Sequence, residues 1–146
     1  MRPITRTVVK SIPAPAGDLF TLLTDPERIP QWLPGCNAVQ SDGPVQRGAS
    51  LKVRFGVRVT TFEIVDFTQS RTFGWLERGQ RQGWKTLFHL EPVGAATAVT
   101  IRDVWTPPSL GAWLRGRLFE KRRVAHPLDE IVENLLRALF RDRPMF

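Results

Sequence analysis

The sequence has little of the chemistry that metal sites and catalytic triads most often use. It contains one cysteine, Cys36, and two histidines, His89 and His126. A single cysteine forms neither an intrachain disulfide nor a cysteine-based metal site, so nothing points to an oxidising compartment. His89 falls on the predicted outer face of a strand and His126 directly precedes Pro127, so both are interpreted as surface residues. We expect no metal, no cofactor and a reduced cytoplasmic setting.

Long apolar runs and nucleotide-binding motifs are also missing. No window approaches eighteen apolar residues, and the first ten residues lack the apolar core of a secretory signal. The sequence contains no phosphate-binding glycine-rich loop, nucleophile elbow, His-Glu-x-x-His helix or Cys-x-x-Cys pair. These absences remove support for a membrane-spanning helix and for the common metal and nucleotide chemistries.

What the chain does have is the composition of a folded domain. Its 146 residues are 42% hydrophobic and 24% charged, with a net charge of +7. This balance is globular rather than disordered, and the excess of positive charge favours anionic partners or surfaces. No internal repeat, linker or low-complexity stretch interrupts the chain. We therefore predict a single domain over residues 1–146.

The first forty residues predict a strand followed by two short helices. Residues 4–12 are rich in Val, Ile and Thr, and this strand ends where Pro13 and Pro15 remove ladder donors. An amphipathic helix follows and ends near Asp25-Pro26. A second helical piece, residues 27–32, stops at Pro34-Gly35.

The middle of the chain predicts an antiparallel sheet. Short β-type runs separated by turn residues form six further strands, at residues 37–41, 50–55, 57–67, 71–77, 83–91 and 97–105. Links this short cannot cross over between parallel strands, so consecutive strands must run antiparallel. After Pro107-Pro108 the spacing of apolar residues becomes helical, through Leu110 to Leu139. Pro127 interrupts this run, and it either kinks one long helix or separates two.

This order of elements predicts an α+β fold and resembles a known superfamily. The signposts are Pro13-Ala14-Pro15, the stretch 22–35 from Leu-Leu-Thr-Asp-Pro to Trp-Leu-Pro-Gly, and Phe-His-Leu-Glu-Pro at 88–92. The chain resembles the START-related SRPBCC superfamily, and within it the polyketide cyclase/dehydrase and lipid-transport group. The resemblance implies a helix-grip fold: a seven-stranded antiparallel sheet wrapped around a long C-terminal helix, with the two short helices between the first and second strands. It also implies an apolar cavity between sheet and helix.

Alternation along each strand predicts which side chains face the C-terminal helix. The inward sets are Val99, Ile101, Asp103 and Trp105 on the last strand, Trp84, Thr86, Phe88 and Leu90 on the one before, and Phe73, Trp75 and Glu77 on the strand before that. The strand at 57–67 is ambiguous. Its odd-numbered positions are the more apolar, so we predict that they face inward and bring Glu63 with them, while the even positions remain the alternative.

Three carboxylates are therefore the candidates for chemistry. Asp103, Glu63 and Glu77 would lie in or at the edge of an apolar cavity, where desolvation favours the protonated form and suits a general acid or base. The competing interpretation is that they hydrogen-bond or pair within the sheet, or lie at a solvated rim. Cys36 has no neighbouring base in the sequence, and we interpret it as a small buried hydrophobe.

Apolar and aromatic residues of the same faces are the candidate ligand contacts. They are Trp75, Trp84, Phe88, Ile101 and Trp105 on the strands, with Ile131 and Leu135 on the C-terminal helix. Such a set forms a hydrophobic core first, and it lines a binding site only where the helix leaves space.

A basic segment between the last strand and the C-terminal helix suggests a further contact. Five basic residues surround Glu120: Arg115, Arg117, Lys121, Arg122 and Arg123. With Trp113 and Phe119 in the same stretch, residues 110–123 resemble an interfacial helix that touches anionic membrane, although a solvated face on a core helix fits as well. No groove-reading motif accompanies the charge, so we expect no nucleic-acid partner.

Three classes of function follow. The resemblance implies binding or transport of a small hydrophobic molecule of the lipid, polyketide or isoprenoid type. The alternative is a metal-free cyclase or dehydratase, a lyase or isomerase type of enzyme that uses the cavity carboxylates. The third is a peripheral membrane or assembly module built on residues 110–123. Polar groups that converge inside the cavity would favour the enzyme, and an entirely apolar lining would favour the carrier.

Overall fold

A computed structural model describes residues 4–78, 83–105 and 128–141. The strands are β1 (Ile4–Ile12), β2 (Ala38–Ser41), β3 (Ser50–Phe55), β4 (Arg58–Thr68), β5 (Thr72–Arg78), β6 (Trp84–Val93) and β7 (Ala96–Trp105). The helices are α1 (Ala16–Thr24), α2 (Ile29–Trp32) and α3 (Leu128–Arg141).

The strands form one antiparallel sheet in the order β1-β7-β6-β5-β4-β3-β2. Consecutive strands from β2 to β7 are neighbours, because short hairpins join most of them. Two of them have two-residue loops: Gly56-Val57, where Phe55 pairs with Arg58, and Gly94-Ala95 between β6 and β7. Gly56 and Gly94 adopt φ values of 65° and 62°, which glycine reaches without a Cβ clash. β1 closes the far edge against β7. The predicted α+β helix-grip class, with seven antiparallel strands, is confirmed.

A β-bulge in β4 reverses the orientation that we predicted for most of that strand. Ile64 pairs with Trp75, but the next pair joins Asp66 to Gly74, which leaves Val65 as an extra residue. One added residue moves the following side chains to the other face. Phe67, after the bulge, packs against Phe20 of α1 from an odd position, whereas Phe62 and Ile64, before the bulge, are buried at even positions. The prediction that odd positions face inward is wrong for this part of the strand.

The helices cover one face of the sheet, hereafter the inner face. α1 buries its apolar side there, and Phe20 meets Phe67 of β4 edge to face at 5.2 Å between ring centroids. Trp32 at the end of α2 reaches the centre of the sheet and stacks on Trp75 at 5.7 Å with an interplanar angle of 11°. Its indole Nε1 donates to the Leu22 carbonyl at 3.0 Å, so α1 and α2 are tied together beneath the sheet.

α3 packs against α1, α2 and β1. Ile131 and Leu135 are fully buried on its apolar side. The Asn134 side chain donates to the Trp32 carbonyl at 3.1 Å and so fixes α3 to the end of α2. The helix as described begins at Leu128, and the effect of Pro127 on a longer helix lies outside the described residues. No helix within the described ranges is long and apolar enough to cross a membrane.

Docking of α3 predicts a large loss of stability for Leu135→Ala. Truncating a fully buried leucine leaves a cavity and costs about 2–5 kcal/mol in the free energy of unfolding. Phe140, on the same helix but 51% exposed, is the matched control, and Phe140→Ala should change that free energy by less than about 0.5 kcal/mol. Urea denaturation measures both. Equal, small losses for the two variants would show that α3 is not docked as described.

Candidate functional site

The inner face of the sheet changes from apolar to polar along its strands. Phe73, Phe88 and Ile101 are in register across β5, β6 and β7, and all three are buried in the hydrophobic core. A second set of residues lies two positions away from this first set on each strand. It consists of residues paired across neighbouring strands: Trp75 of β5, Thr86 of β6, Asp103 of β7 and Arg6 of β1. We call this second set the polar row. Residues directly opposite in adjacent strands share a face, so these side chains are neighbours.

Asp103 is the acidic group of the polar row. It has no exposed surface, and its Oδ1 accepts a hydrogen bond from the Thr86 hydroxyl at 2.9 Å. Arg6 is its cross-strand neighbour on β1. A carboxyl group in an apolar interior is costly unless hydrogen bonds or opposite charge surround it, and the polar row supplies a donor and a nearby cation. These neighbours also fit the interpretation of Asp103 as a structural residue.

Glu77 lies on the same face, one step further toward the end of β5. It is 5% exposed and pairs with Phe62 of β4. β6 separates β5 from β7, so these two strands are about 10 Å apart at ordinary strand spacing, and Glu77 lies two residues beyond the β5 residue that is in register with Asp103. The inner face therefore holds two buried carboxyl groups at the same end.

Glu63 does not join them. It pairs with Leu76 on the outer face of the sheet, and its carboxylate lies 3.3 Å from the Arg78 guanidinium, in an ion pair whose side chains are 36% and 51% exposed. The β4 bulge is the reason, because the odd positions before it point away from the helices. The expectation that Glu63 lies in the cavity with Asp103 and Glu77 is wrong.

Trp75 brings an unusual polar atom into the interior. The side chain is 1% exposed, and its indole Nε1 has no hydrogen-bond partner among the residues that the structure describes. The rings around it are Trp32, Phe62, Phe73 and Phe88, with centroids between 4.7 and 6.0 Å away. Buried N–H groups without a partner are rare in proteins, and each calls for a structural or functional reason.

Two further predicted contacts, Trp84 and Trp105, form a stacked pair at the polar end of the sheet. They face each other across β6 and β7 with centroids 5.9 Å apart and planes within 10°. Both are half-buried, unlike the rings of the core. A side chain at Gly83 would press on Trp105, since a Cβ there would lie 3.3 Å from the Trp105 indole nitrogen. The pair therefore forms a half-buried aromatic surface that is not part of the hydrophobic core.

The remaining predicted ligand contacts are part of the core. Phe88, Ile101, Ile131 and Leu135 are fully or almost fully buried among other apolar side chains. Their role as a binding wall stays a prediction. Trp32 lies against both Trp75 and Phe88, a contact that was not predicted from the sequence. Its position before Leu33-Pro34-Gly35 marked the end of a helix but gave no sign of the contact.

Cys36 and His89 contribute no reactive group to this site. Burial raises the pKa of the Cys36 thiol to about 11, and a backbone hydrogen bond from Ala38 offsets only part of that rise. The thiol is therefore protonated at neutral pH and a poor nucleophile. His89 is exposed on the outer face. Across residues 4–78, 83–105 and 128–141, no cluster of three or more His, Cys, Asp or Glu side chains could hold a metal ion.

The basic segment proposed for membrane contact lies outside the described residues. This applies to Arg115, Arg117, Lys121, Arg122 and Arg123, and equally to His126. An anionic surface as a partner stays a prediction from the sequence.

Comparison with known families identifies the chain. A family model described as polyketide cyclase/dehydrase and lipid transport matches residues 3–139, so the chain belongs to that family within the SRPBCC superfamily. The resemblance noted from the sequence is confirmed. The family and its fold are of a kind that binds hydrophobic ligands. No curated protein sequence matches the chain.

Solved structures support the same fold. Protein MLL2253 from Mesorhizobium loti is 20% identical with a TM-score of 0.69, over 95% of this chain and 100% of that one. Protein NE0264 from Nitrosomonas europaea is 14% identical with a TM-score of 0.71, over 94% and 95%. DynU16, a protein encoded in the dynemicin biosynthetic locus, is 23% identical with a TM-score of 0.66, over 96% of this chain and 48% of its own. At these identities the likeness establishes the fold alone.

The hydrogen bond within the polar row predicts that Thr86→Val destabilises the protein. Valine keeps the shape of threonine but removes a donor that Asp103 uses in the interior, which costs about 1–3 kcal/mol in the free energy of unfolding. Thr60→Val is the control, because the Thr60 hydroxyl lies near the surface and reaches the Arg78 carbonyl at 3.5 Å. Thermal or urea unfolding compares the two. Equal effects would mean that the Thr86–Asp103 bond contributes nothing.

Proposed function

We propose that this protein binds or carries a small hydrophobic molecule of the lipid, polyketide or isoprenoid type, between the inner face of the sheet and α3. The observation that carries the proposal is an inner face that is mostly apolar and whose two buried acidic groups do not converge on one point, since Asp103 and Glu77 lie on strands separated by β6. Asp103 and Thr86 of the polar row, and Glu77 beside it, are each 5% exposed or less. A domain that needed only a core would be more stable with apolar side chains at these positions.

The distribution of the two kinds of surface fits an amphipathic ligand. Ligand sites are mostly apolar, with a few placed polar groups that fix the orientation of the bound molecule. Here the apolar set at Phe73, Phe88 and Ile101 lies beside the polar row. The stacked pair of Trp84 and Trp105 adds a half-buried aromatic wall at the polar end. A molecule with a hydrophobic body and a polar group would match both surfaces at once.

The neutral hydrophobic dye N-phenyl-1-naphthylamine, whose fluorescence rises in apolar surroundings, tests this proposal. We expect saturable binding with one site per chain. Trp84→Ala should weaken that binding about tenfold, because stacking on an aromatic ring contributes about 0.5–1.5 kcal/mol beyond the area buried. Trp84 is half-buried, so its loss leaves the central core intact.

Val57→Ala is the matched control for this titration. Val57 is 96% exposed in the hairpin between β3 and β4, far from the inner face, and its truncation should leave dye affinity unchanged. Melting temperatures of all three proteins show whether each is folded. Wild-type protein that is folded but does not bind the dye saturably would contradict the proposed function. Equal affinity in Trp84→Ala and wild type would remove the stacked pair from the site.

A second candidate is a metal-free cyclase or dehydratase, and one observation favours it. Glu77 and Asp103 are both buried at the same end of the inner face, flanking β6. Two carboxyl groups at one end of a bound β-polyketone could exchange protons with it during ring closure and loss of water. A positioned acid or base contributes about 10²–10⁴-fold in rate, whereas a passive site shows no turnover with or without it. Turnover of a β-polyketone should therefore fall in Asp103→Asn and Glu77→Gln if the protein is an enzyme. If it is a carrier, neither the wild type nor the variants should show turnover.

A further inference from the structure

The indole N–H of Trp75 is the polar group of the inner face for which the described residues provide no acceptor. Nε1 has essentially no exposed surface, and Trp75 lies on β5, the middle strand of the sheet. Backbone and side-chain donors in protein interiors are almost always paired. An unpaired donor at this position is therefore ready to gain a partner when a ligand enters.

Trp32 provides an internal comparison for this donor. The two indoles stack on each other in the same core, yet the Trp32 Nε1 donates to the Leu22 carbonyl at 3.0 Å. The fold thus satisfies one of two neighbouring indole donors and leaves the other. The difference lies in position, because Trp75 belongs to the polar row with Thr86 and Asp103, on the face where we place the ligand.

The neighbours of Trp75 also restrict the chemical class of the acceptor. Thr86 already directs its hydroxyl to Asp103, and Glu77 lies two residues along the strand on the same face. A carboxylate on the ligand would meet two acidic groups, with Arg6 as the cation in register beside Asp103. A neutral oxygen accepts from the indole without that cost.

We propose that Trp75 is a specificity-determining residue whose indole N–H donates to a neutral carbonyl or hydroxyl oxygen of the bound hydrophobic molecule. This inference rests on the proposed function, since it needs a ligand on the inner face. The inference goes further than that function in two respects. It names the protein atom that orients the ligand, and it names the functional group that the ligand must carry at that point. Ligands of equal shape without such an oxygen would leave the donor unpaired and lose affinity.

Three naphthalene probes of similar shape test the proposal: 2-acetylnaphthalene, 2-ethylnaphthalene and 2-naphthoate. The first carries a ketone, the second has no oxygen, and the third carries a carboxylate. Competition with N-phenyl-1-naphthylamine gives the affinity of each for wild-type protein and for Trp75→Phe. The two probes have similar shape, so the ratio of ketone to hydrocarbon affinity is insensitive to how well that shape fits the site. The hydration of each probe in water is the same for both proteins, so it does not contribute to the change in this ratio between wild type and Trp75→Phe. We expect this ratio to fall about fivefold to tenfold in Trp75→Phe, the usual effect of one neutral hydrogen bond.

NMR spectroscopy of the wild-type protein detects the Trp75 N–H directly and needs no variant. In protein labelled with ¹⁵N, the indole N–H signals of the five tryptophans can be followed separately. With 2-acetylnaphthalene the proton signal of Trp75 should move downfield relative to its position with 2-ethylnaphthalene. The Trp32 signal should be the same with both probes, since its hydrogen bond to Leu22 is already formed.

The outcomes separate this inference from the proposed function. If no probe binds folded wild-type protein, the proposed function fails. If the ketone and the hydrocarbon bind but the affinity ratio and the Trp75 signal are unchanged, the function stands and the inference is overturned. The N–H would then be directed at a neighbouring ring such as Phe62, whose centroid lies 4.7 Å from that of Trp75. Tighter binding of 2-naphthoate than of the ketone would overturn the neutral class of acceptor.

Discussion

The stack of Trp32 on Trp75 is the contact on which the interior of this protein depends. It joins the last residue of α2 to the centre of β5, and it places a large aromatic side chain between sheet and helices. Leu22 of α1 accepts from the Trp32 indole, and Asn134 of α3 donates to the Trp32 carbonyl. One residue therefore fixes three helices against the sheet. Because the stack occupies the middle of the inner face, a ligand that enters must contact it or displace it.

The register of the sheet determines what that ligand would meet. Cross-strand pairing sorts the inner face into rows, so that Asp103 and Thr86 are neighbours although they are far apart in the chain. The β4 bulge keeps Phe62 and Ile64 in the interior and directs Glu63 to an exposed ion pair with Arg78. The bulge thereby removes one of three candidate carboxylates from the site and adds apolar surface in its place.

Much of this arrangement could be predicted from the sequence, and the exception has a physical cause. The strands β5, β6 and β7 alternate cleanly, so the inward positions of Glu77, Thr86 and Asp103 were evident from a period of two. β4 was not predictable in the same way, because its bulge depends on pairing with another strand and shifts the period midway. The stacking of Trp32 is a long-range contact and left no local pattern. That the Trp75 N–H has no hydrogen-bond partner among the described residues likewise depends on the three-dimensional arrangement of its neighbours.

The most direct test of this account is to ask what the protein carries. Protein purified gently from the organism that encodes it can be examined by native mass spectrometry, and any bound compound can then be extracted and identified. We expect one hydrophobic molecule per chain, with a neutral carbonyl or hydroxyl oxygen available to the Trp75 indole. Protein that is folded, retains no small molecule and takes up none from a total lipid extract of the same cells would contradict the account.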